Sequence, residues 1–500
     1  MKPGRILRRK SVMSILICAV FTFALLSGAA YGMELGPTGL NVSGELEQTL
    51  SLSLTDGELT LGFTNYKLSL EQDLMRIGAG IDGYAYVSVK GGYNHKASEG
   101  KWLELDEAYI DIYRDLFDLR LGQQALSWGT AYGFNPTSYV NPMPSVATLT
   151  QGGLTDLTGL PVPAVYVSAY PSWKDMSADV GMVLVLDPRL QGVPLPDAYQ
   201  AEILNGISYG IKAGLQVPGA AEALAEALLP LLPPEMPVSK EQIVQIIRNA
   251  EVSPAALEFT ADPPESFADR LEVAGRAGMN FGMWDLYISG FRGWEDTPVL
   301  WVETVPAVDI GPAFTYVDVY LDVHPEALYR KATEIGAAAS GTWGPYTFWG
   351  EGNYTLPDKV EALNSEKNIA LSTNDSNFQA VVGADRMFGS ASEYYVMGQY
   401  IYNSSSSLLS PYRMPGEKAK AGHYLTLVGR ATIHDDHQIE VMNIFNVRDK
   451  SGLIVPRYTY KVNPMLSVWV GTTFLTGDET TEFGGLPMDN SAFAGVKVVW

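Results

Sequence analysis

The sequence has 500 residues, one cysteine, 27 tyrosines, 49 glycines and a formal net charge of −22 at pH 7. So acidic a chain is a poor partner for nucleic acid, and one cysteine supports neither an internal disulfide nor a thiolate metal site. The length is typical of two or three soluble domains, but no charged linker or internal repeat divides it. Composition therefore leaves two classes to separate, an exported globular enzyme and a membrane barrel.

Residues 1–32 have the order of a secretory signal peptide. Five basic residues come first, the uncharged stretch SVMSILICAVFTFALL follows, and small residues lead to a predicted cleavage after Gly32. A retained signal anchor is the alternative. Cleavage would remove the only cysteine, Cys18, together with the five basic residues, and would lower the net charge to −27 for residues 33–500.

Beyond the leader, apolar and polar residues alternate over about ten positions, the length of a tilted strand that crosses a bilayer. In the segments 315–323 (TYVDVYLDV) and 424–433 (YLTLVGRATI), aliphatic residues fall on one face and polar residues on the other. A soluble β-sandwich shows the same alternation. The number of such segments and the aromatic residues at their ends favour a barrel.

The spacing of turns supports this choice, because outer-membrane barrels have short turns at one end and long loops at the other. Tight reversals are predicted at 113–117, 171–175, 282–285, 342–345, 388–392, 434–438 and 461–465. Longer irregular stretches are 91–102, 129–160, 188–270, 356–375, 405–419 and 477–490. The predicted fold is all-β, a single transmembrane antiparallel β-barrel over residues 33–500. Candidate strands, including 43–54 and 298–308, number about nineteen or twenty, and an even count of 18 is predicted, with 16 and 20 as alternatives.

The last segment, AFAGVKVVW, is predicted to be the strand that closes the barrel. Its alternation turns Lys497 inward and places Trp500 on the lipid-facing side. A terminal aromatic residue preceded by alternating apolar positions resembles the signal that the bacterial barrel-assembly machinery recognises. Trp500 is therefore predicted to be an assembly signal, and that machinery a partner.

Residues 188–270 lack the strand pattern and are predicted to be a partly helical insert. Ser239 and Gln242 have capping-box spacing before an amphipathic run, so a helix is predicted to begin at Lys240. A second helix is predicted across AAEALAEALLPLL. The insert would leave the extracellular end of the barrel, either to constrict the lumen or to elaborate the surface.

A hairpin within residues 103–142 carries charges at membrane depth. The alternation turns inward Glu107, Tyr109, Asp111, Arg120 and Gln124. Charges tolerated at this depth usually line a water-filled lumen. The same phase argument adds Asp318, Asp322, Arg430 and Lys497 to the predicted lumen-facing set. These residues could select solutes by charge, stabilise the barrel wall through a ladder of ion pairs, or do both.

This hairpin and the segment after it resemble the signature region of a porin-like family of Gram-negative outer-membrane barrels, similar in style to alginate-export barrels. After the strand DLRLGQQ, the resemblance is carried by Trp128, Gly129, Gly133, Asn135, Pro136, Thr137, Asn141 and Pro142. Ser138 stands where the family pattern has an acidic residue. The resemblance implies the outer membrane of a diderm bacterium, with outer-membrane lipid around the barrel.

Enzyme signatures are not supported. The HDDH run at 434–437 suits a solvated reversal better than a metal site, and no nucleophile elbow, zincin motif or phosphate-binding loop occurs in a supporting context. No catalytic residue, metal or cofactor is therefore predicted. The predicted function is passage of small hydrophilic solutes. One alternative is exopolysaccharide export, which the family likeness suggests although the inward set is mixed to acidic; the other is a non-conducting adhesion or assembly scaffold.

Overall fold

The structure is a computed structural model. It describes residues 33–35, 39–95, 100–142, 159–173, 176–188, 212, 215–231, 239–249, 252–254, 266–296, 298–310, 317–364, 368–370, 372–391, 393–405, 408, 420–486 and 488–500. The predicted signal peptide, residues 1–32, lies outside the described residues.

Strands dominate the described chain. They are β1 (Met33–Leu35), β2 (Leu40–Ser53), β3 (Leu59–Asp73), β4 (Gly83–Asn94), β5 (Lys101–Tyr113), β6 (Phe117–Gln124), β7 (Val162–Ala169), β8 (Ser172–Trp173), β9 (Met176–Val185), β10 (Val252–Pro254), β11 (Glu272–Phe281), β12 (Trp284–Trp294), β13 (Val299–Ile310), β14 (Val317–Leu328), β15 (Lys331–Trp343), β16 (Tyr346–Pro357), β17 (Asn368–Ala370), β18 (Asn377–Phe388), β19 (Tyr394–Asn403), β20 (Gly422–Ile433), β21 (His437–Asn446), β22 (Ser451–Asn463), β23 (Leu466–Thr476) and β24 (Ser491–Val499). The helices are α1 (Ala220–Leu228), α2 (Lys240–Arg248) and α3 (Phe267–Arg270), with 3-10 turns at Leu229–Leu231 and Glu361–Asn364.

Eighteen of these strands form one closed antiparallel ring, which confirms the predicted barrel and its strand number. In order around the ring they are β2, β3, β4, β5, β6, β7, β9, β11, β12, β15, β16, β18, β19, β20, β21, β22, β23 and β24. As predicted, β24 closes the ring by pairing with β2. The N–H of Trp500 donates to the carbonyl of Gly44 and the N–H of Gly44 donates to the carbonyl of Trp500, both at 3.0 Å. The short strand β1 pairs with β2 outside the ring.

The connections differ between the two ends of the barrel. One end carries 74–82, 114–116, 170–175, 282–283, 344–345, 389–393, 434–436 and 464–465. The other end carries 54–58, 95–100, 125–161, 186–271, 295–330, 358–376, 404–421, 447–450 and 477–490. The ring strands on either side of all seven predicted reversals are joined at the first end, and those on either side of all six predicted long stretches at the second; half of 129–160 and most residues of 188–270 and 405–419 lie outside the described residues. Short turns mark the periplasmic end of an outer-membrane barrel and long loops the extracellular end, and the two ends are named accordingly below.

The outer face of the ring is apolar and exposed. On β20, Leu427 is 54% exposed while its neighbour Val428, which points inward, is 2% exposed. Exposed aromatic side chains lie at the periplasmic end (Phe281, Trp284, Trp343, Tyr346, Phe388 and Tyr394) and at the extracellular end (Tyr93, Tyr354, Phe378, Tyr400 and Phe474). An apolar band flanked by two aromatic girdles is the surface of a transmembrane barrel.

Two predicted wall strands do not belong to the wall. Residues 298–308 and 315–323 fall largely on β13 and β14, which pair with each other and, with β10 and β17, form a separate four-stranded sheet. The ring of wall strands leaves out β13 and β14, because β12 pairs directly with β15. The prediction that 315–323 crosses the membrane is therefore wrong, and so is the placement of Asp318 and Asp322 on the barrel wall. Apolar and polar residues alternate with a period of two in any hairpin that has one apolar and one polar face. The pattern therefore could not distinguish the hairpin of β13 and β14 from a hairpin of the barrel wall.

The structure describes the predicted insert 188–270 only in part, and there it confirms both helices. Ser239 Oγ accepts from the N–H of Gln242 at 3.3 Å and Gln242 Oε1 accepts from the N–H of Ser239 at 2.8 Å, which is the predicted capping box. The helices bury Ala221, Ala225, Leu228, Ile243 and Ile247. Among the described residues, no helix has the length and apolar character needed to cross a membrane.

Candidate functional site

Residues 125–142, called the lumen segment here, run from the extracellular end of β6 into the barrel. Glu351, at the middle of β16, holds the segment: its Oε2 accepts from the Thr137 hydroxyl at 2.6 Å and from the N–H of Thr130 at 3.2 Å. Strand β16 is far from β6 around the ring. A segment that reaches the middle of a distant wall strand must lie inside the lumen and not over its mouth.

Gln399, at the middle of β19, holds the segment at a second point. Its Oε1 accepts from the N–H of Tyr132 at 3.1 Å and its Nε2 donates to the carbonyl of Tyr132 at 3.0 Å. The indole N–H of Trp349 also donates to Oε1, at 2.8 Å. The amide thus satisfies both backbone groups of one residue, as a paired strand would. Gln399 is 3% exposed, so water competes little for these bonds.

Asn141 joins the start of the lumen segment to its end through side-chain hydrogen bonds. Its Oδ1 accepts from the N–H of Leu126 at 2.7 Å, and its Nδ2 donates to the carbonyls of Gln124 and Leu160 at 3.0 and 2.8 Å. The side chain is fully buried. Close to it, the N–H of Leu160 donates to the carbonyl of Pro142 at 2.8 Å. This part of the signature motif therefore closes the loop on itself.

The glycines of the signature motif are required by the fold of the segment. Gly133 has φ +78°, a conformation that favours glycine, and a Cβ on Gly129 would lie 2.4 Å from the Cβ of Asn135. Pro136 and Thr137 are buried after this bend. Thr137 fits because its neighbour on β15 is Gly336, where a Cβ would lie 2.9 Å from Thr137 Cγ2.

Aromatic side chains also pack the lumen segment against the wall at β12. The ring of Tyr139 lies 5.5 Å from that of Phe291 on β12 and 6.4 Å from that of Trp128. The guanidinium of Arg276, which pairs with Asp179 at 3.0 Å, lies 5.6 Å from the Trp128 ring. The segment is thus fixed by apolar contact as well as by hydrogen bonds.

A second segment, residues 478–486, folds inward at the extracellular end. Phe483 is 1% exposed in a cluster with Tyr424 and Phe493. Glu482 Oε2 accepts from the Tyr424 hydroxyl and from Asn446 Nδ2, both at 2.7 Å.

The predicted inward residues of the signature hairpin lie on the inner face. Arg120 binds Asp111 through two bonds, Nε to Oδ1 at 2.6 Å and Nη2 to Oδ2 at 2.7 Å, and its guanidinium lies 4.1 Å from the Tyr109 ring. Glu107 accepts instead from the N–H of Ala125, at 3.0 Å. Gln124, fully buried, donates to the carbonyl of Ala164 at 2.8 Å. Glu107 and Gln124 therefore hold backbone, while Asp111 and Arg120 form a bidentate pair.

The other two predicted wall charges are also paired. Arg430 Nε binds Glu440 Oε2 at 2.9 Å, and the second oxygen of Glu440 binds Arg457 Nη2 at 2.9 Å. Lys497 Nζ lies 2.8 Å from Glu45 Oε2. The inner wall is thus an ion-pair ladder at these positions, one of the two roles predicted for them.

Several inward-facing residues of the candidate site were not predicted from the sequence. Asp106 lies between Lys67 and Lys90, at 2.6 and 2.9 Å. A bulge between Val87 and Val89 shifts the pairing of β4 with β5 beside it, so alternation counted back from Asp111 assigns Asp106 to the wrong face. Glu351 and Gln399 sit in regular strands, where the phase of alternation predicts the inner face but gives no sign of what they hold.

The HDDH run forms the predicted reversal, with His434 and Asp435 at positive φ. His437 Nδ1 lies 2.6 Å from the Tyr458 hydroxyl, and its ring stacks at 4.9 Å on Tyr460. In the part of the chain that the structure describes, no group of three or more His, Cys, Asp or Glu side chains is placed to hold a metal ion.

Comparison with known proteins yields structural neighbours only. No family model and no curated protein matches the chain. A Salmonella typhi OmpF in complex with daunomycin is 10% identical, with 94% of this chain and 99% of that chain covered and a TM-score of 0.43. An anion-selective porin from Comamonas acidovorans is 10% identical, with 92% and 99% covered and a TM-score of 0.38. Vibrio cholerae OmpT is 10% identical, with 94% and 100% covered and a TM-score of 0.37. At these values, the architecture of this chain rests on its own strand pairing.

Proposed function

We propose that this protein is an outer-membrane channel for passive passage of small hydrophilic solutes, narrowed by the lumen segment. The observation that carries the proposal is the attachment of residues 125–142 to Glu351 and Gln399 at mid-height. A segment held at mid-height narrows the lumen, and whether the remaining space conducts separates a channel from a non-conducting scaffold. A channel gains a size limit.

The distribution of inward contacts supports a path along one side of the lumen. The lumen segment is fixed to β12, β16 and β19, and the segment 478–486 packs against β20 to β22. The arc from β2 to β6 carries the polar side chains of Lys67, Lys90, Asp106, Asp111 and Arg120. Solutes would pass along this arc, where charges of both signs keep the path hydrated.

Single-channel recording tests the proposal. Purified protein in planar lipid bilayers should give stepwise conductance, and the double variant Glu351→Ala, Gln399→Ala should give larger or noisier steps because the segment loses both attachments. Val382→Ala, an exposed outward position on the intervening strand β18, is the matched control and should behave as wild type. Absence of steps from folded protein would favour the scaffold alternative, and an anion-selective channel would favour exopolysaccharide export.

A further inference from the structure

We infer that the inner wall of β4 to β6 holds a binding site for a neutral sugar, formed by Tyr84, Tyr86, Tyr109, Tyr113 and Arg120. These five residues are called the tyrosine site below. The inference rests on the proposed channel function and adds to it the chemical class of a preferred solute.

The rings of the tyrosine site contact one another along β4 and β5, tilted or edge-on. Tyr86 and Tyr109 are cross-strand partners, with ring centroids 5.2 Å apart at an interplanar angle of 32°. Tyr84 lies 6.1 Å from Tyr109 and 6.3 Å from Tyr113. The Arg120 guanidinium lies over the Tyr109 ring, 4.1 Å from its centroid, and adds a planar group from β6 to the site.

The tyrosine site faces the lumen. The alternate positions on the same three strands, Val87, Ile110 and Leu121, are exposed at 38–43% on the outer apolar face. All four tyrosines are partly exposed and none is fully buried, so water in the lumen reaches them. They lie near the periplasmic ends of β4 and β5, below the level at which Ala125 begins the lumen segment. A solute that has passed the segment would meet this surface next.

The hydroxyls of Tyr84, Tyr109 and Tyr113 form hydrogen bonds with one another and with Asp111, and two of these contacts are long. The oxygens of Tyr84 and Tyr109 are 3.5 Å apart, and the Tyr113 hydroxyl is 3.5 Å from Asp111 Oδ2, both at the limit of hydrogen-bond length. Exchange of such contacts for the hydroxyls of a solute costs little. The Tyr86 hydroxyl has a better partner, Ser69 Oγ at 3.0 Å.

Arg120 adds donors that are fixed in place. A guanidinium has five N–H donors, and the bidentate pair with Asp111 uses two of them. The side chain of Arg120 remains 26% exposed. Because the pair and the Tyr109 ring fix its plane, binding a solute hydroxyl would cost little side-chain entropy.

Charge identifies the class of ligand. The charges of Asp111 and Arg120 cancel and the tyrosines are neutral, so the five residues carry no net charge, and the nearby Glu107 carboxylate disfavours an anion. A pyranose offers C–H faces that pack on aromatic rings and hydroxyls that replace weak Tyr–Tyr and Tyr–Asp contacts. A neutral mono- or disaccharide therefore fits this combination of aromatic rings, hydroxyl groups and guanidinium donors.

Maltose is a suitable probe, used in two measurements on the full chain. In planar bilayers, maltose added to the chamber should block the ion current in a saturable way. In nanodiscs, isothermal titration calorimetry should give the same dissociation constant. Tyr84→Leu and Tyr109→Leu should each weaken binding about tenfold or more, while Tyr113→Phe, which keeps the ring, should weaken it less. Tyr400→Leu, on the outer face of β19, is the matched control and should bind as wild type.

The two measurements separate this inference from the proposed function. Binding in nanodiscs without conductance would leave the sugar site standing and remove the channel. Conductance without maltose block or binding would remove the sugar site and leave the channel. Unchanged affinity in both Tyr→Leu variants, with the heat-modifiable folded species present on gels, would also overturn the site. Binding of phenol without binding of maltose would also overturn the sugar site, because the tyrosine rings would then bind aromatic molecules by stacking alone.

Discussion

Thr137 and Glu351 are 214 residues apart in the chain and are joined inside the barrel by a 2.6 Å hydrogen bond from the Thr137 hydroxyl to Glu351 Oε2. Glu351 is 5% exposed, and no described Lys or Arg forms an ion pair with it. A buried carboxylate without a cation depends on hydrogen-bond donors. The lumen segment supplies these donors, so the wall and the segment stabilise each other.

Glu351→Ala should release the lumen segment. The substitution leaves the Thr137 hydroxyl and the N–H of Thr130 without their acceptor, which costs about 1–3 kcal/mol for each buried group that stays unpaired. We expect a broader distribution of single-channel conductance and a higher mean. Tyr354→Ala, an outward position on the same strand, is the control. A conductance distribution identical to wild type would show that Glu351 does not position the segment.

Gly336→Ala should displace the lumen segment without opening the barrel. The new methyl group would lie 2.9 Å from Thr137 Cγ2, whereas the methyl group of the control, Gly350→Ala, would meet its nearest atom, Val382 Cγ1, at an ordinary 3.5 Å. The only cysteine of the sequence is Cys18, within the predicted leader, so a single cysteine at Ser138 can report on the segment. Thiol labelling at that cysteine should be faster with Gly336→Ala and unchanged with Gly350→Ala. Equal rates in both backgrounds would contradict the packing argument.

Trp500→Ala should reduce assembly more than it reduces the stability of the folded barrel. The two 3.0 Å bonds between Gly44 and Trp500 involve backbone atoms only and survive the substitution. What is lost is the indole, which packs so closely on Gly44 that a Cβ there would lie 2.4 Å from Trp500 Cζ2, and which is predicted to serve as interfacial anchor and assembly signal. The measurement is the fraction of heat-modifiable folded protein in the outer membrane, with Val499→Ala as control. Wild-type amounts of this species would contradict a role of Trp500 in assembly.

Asp106→Asn should lower the preference of the channel for cations. We expect wild type to favour cations moderately. Six inward cations (Lys67, Lys90, Arg120, Arg430, Arg457 and Lys497) are matched by six carboxylates (Glu45, Glu47, Glu104, Asp106, Asp111 and Glu440), and Glu107 adds a carboxylate that a backbone N–H holds. Asp106 bridges two lysines, so its neutralisation removes one negative charge and leaves two cations beside the path.

The reversal potential in a salt gradient measures this change. Asp358→Asn is the control, since Asp358 pairs with Arg292 outside the lumen in an extracellular loop, where salt screens its charge within about 8 Å. A cation-to-anion permeability ratio that rises or stays constant in Asp106→Asn would contradict the proposed path along β2 to β6.

Local patterns in the sequence were sufficient to predict the barrel, the strand number, most turns and the two faces of the wall. Side chains alternate across a strand because of backbone geometry alone, so Asp111 and Arg120 could be assigned inward, and Trp500 and its strand to closure, without a partner strand in view. The capping box at Ser239 is equally local.

Only the tertiary structure decided which strands are neighbours and what fills the lumen. The hairpin of β13 and β14 alternates like the wall, yet β12 pairs with β15 and leaves it out. Glu351 and Gln399 meet the lumen segment across 221 and 267 residues of sequence. An inward polar residue on a strand has the same local pattern whether it faces water or holds another segment, because its partner is set by ring closure and not by its neighbours in the chain.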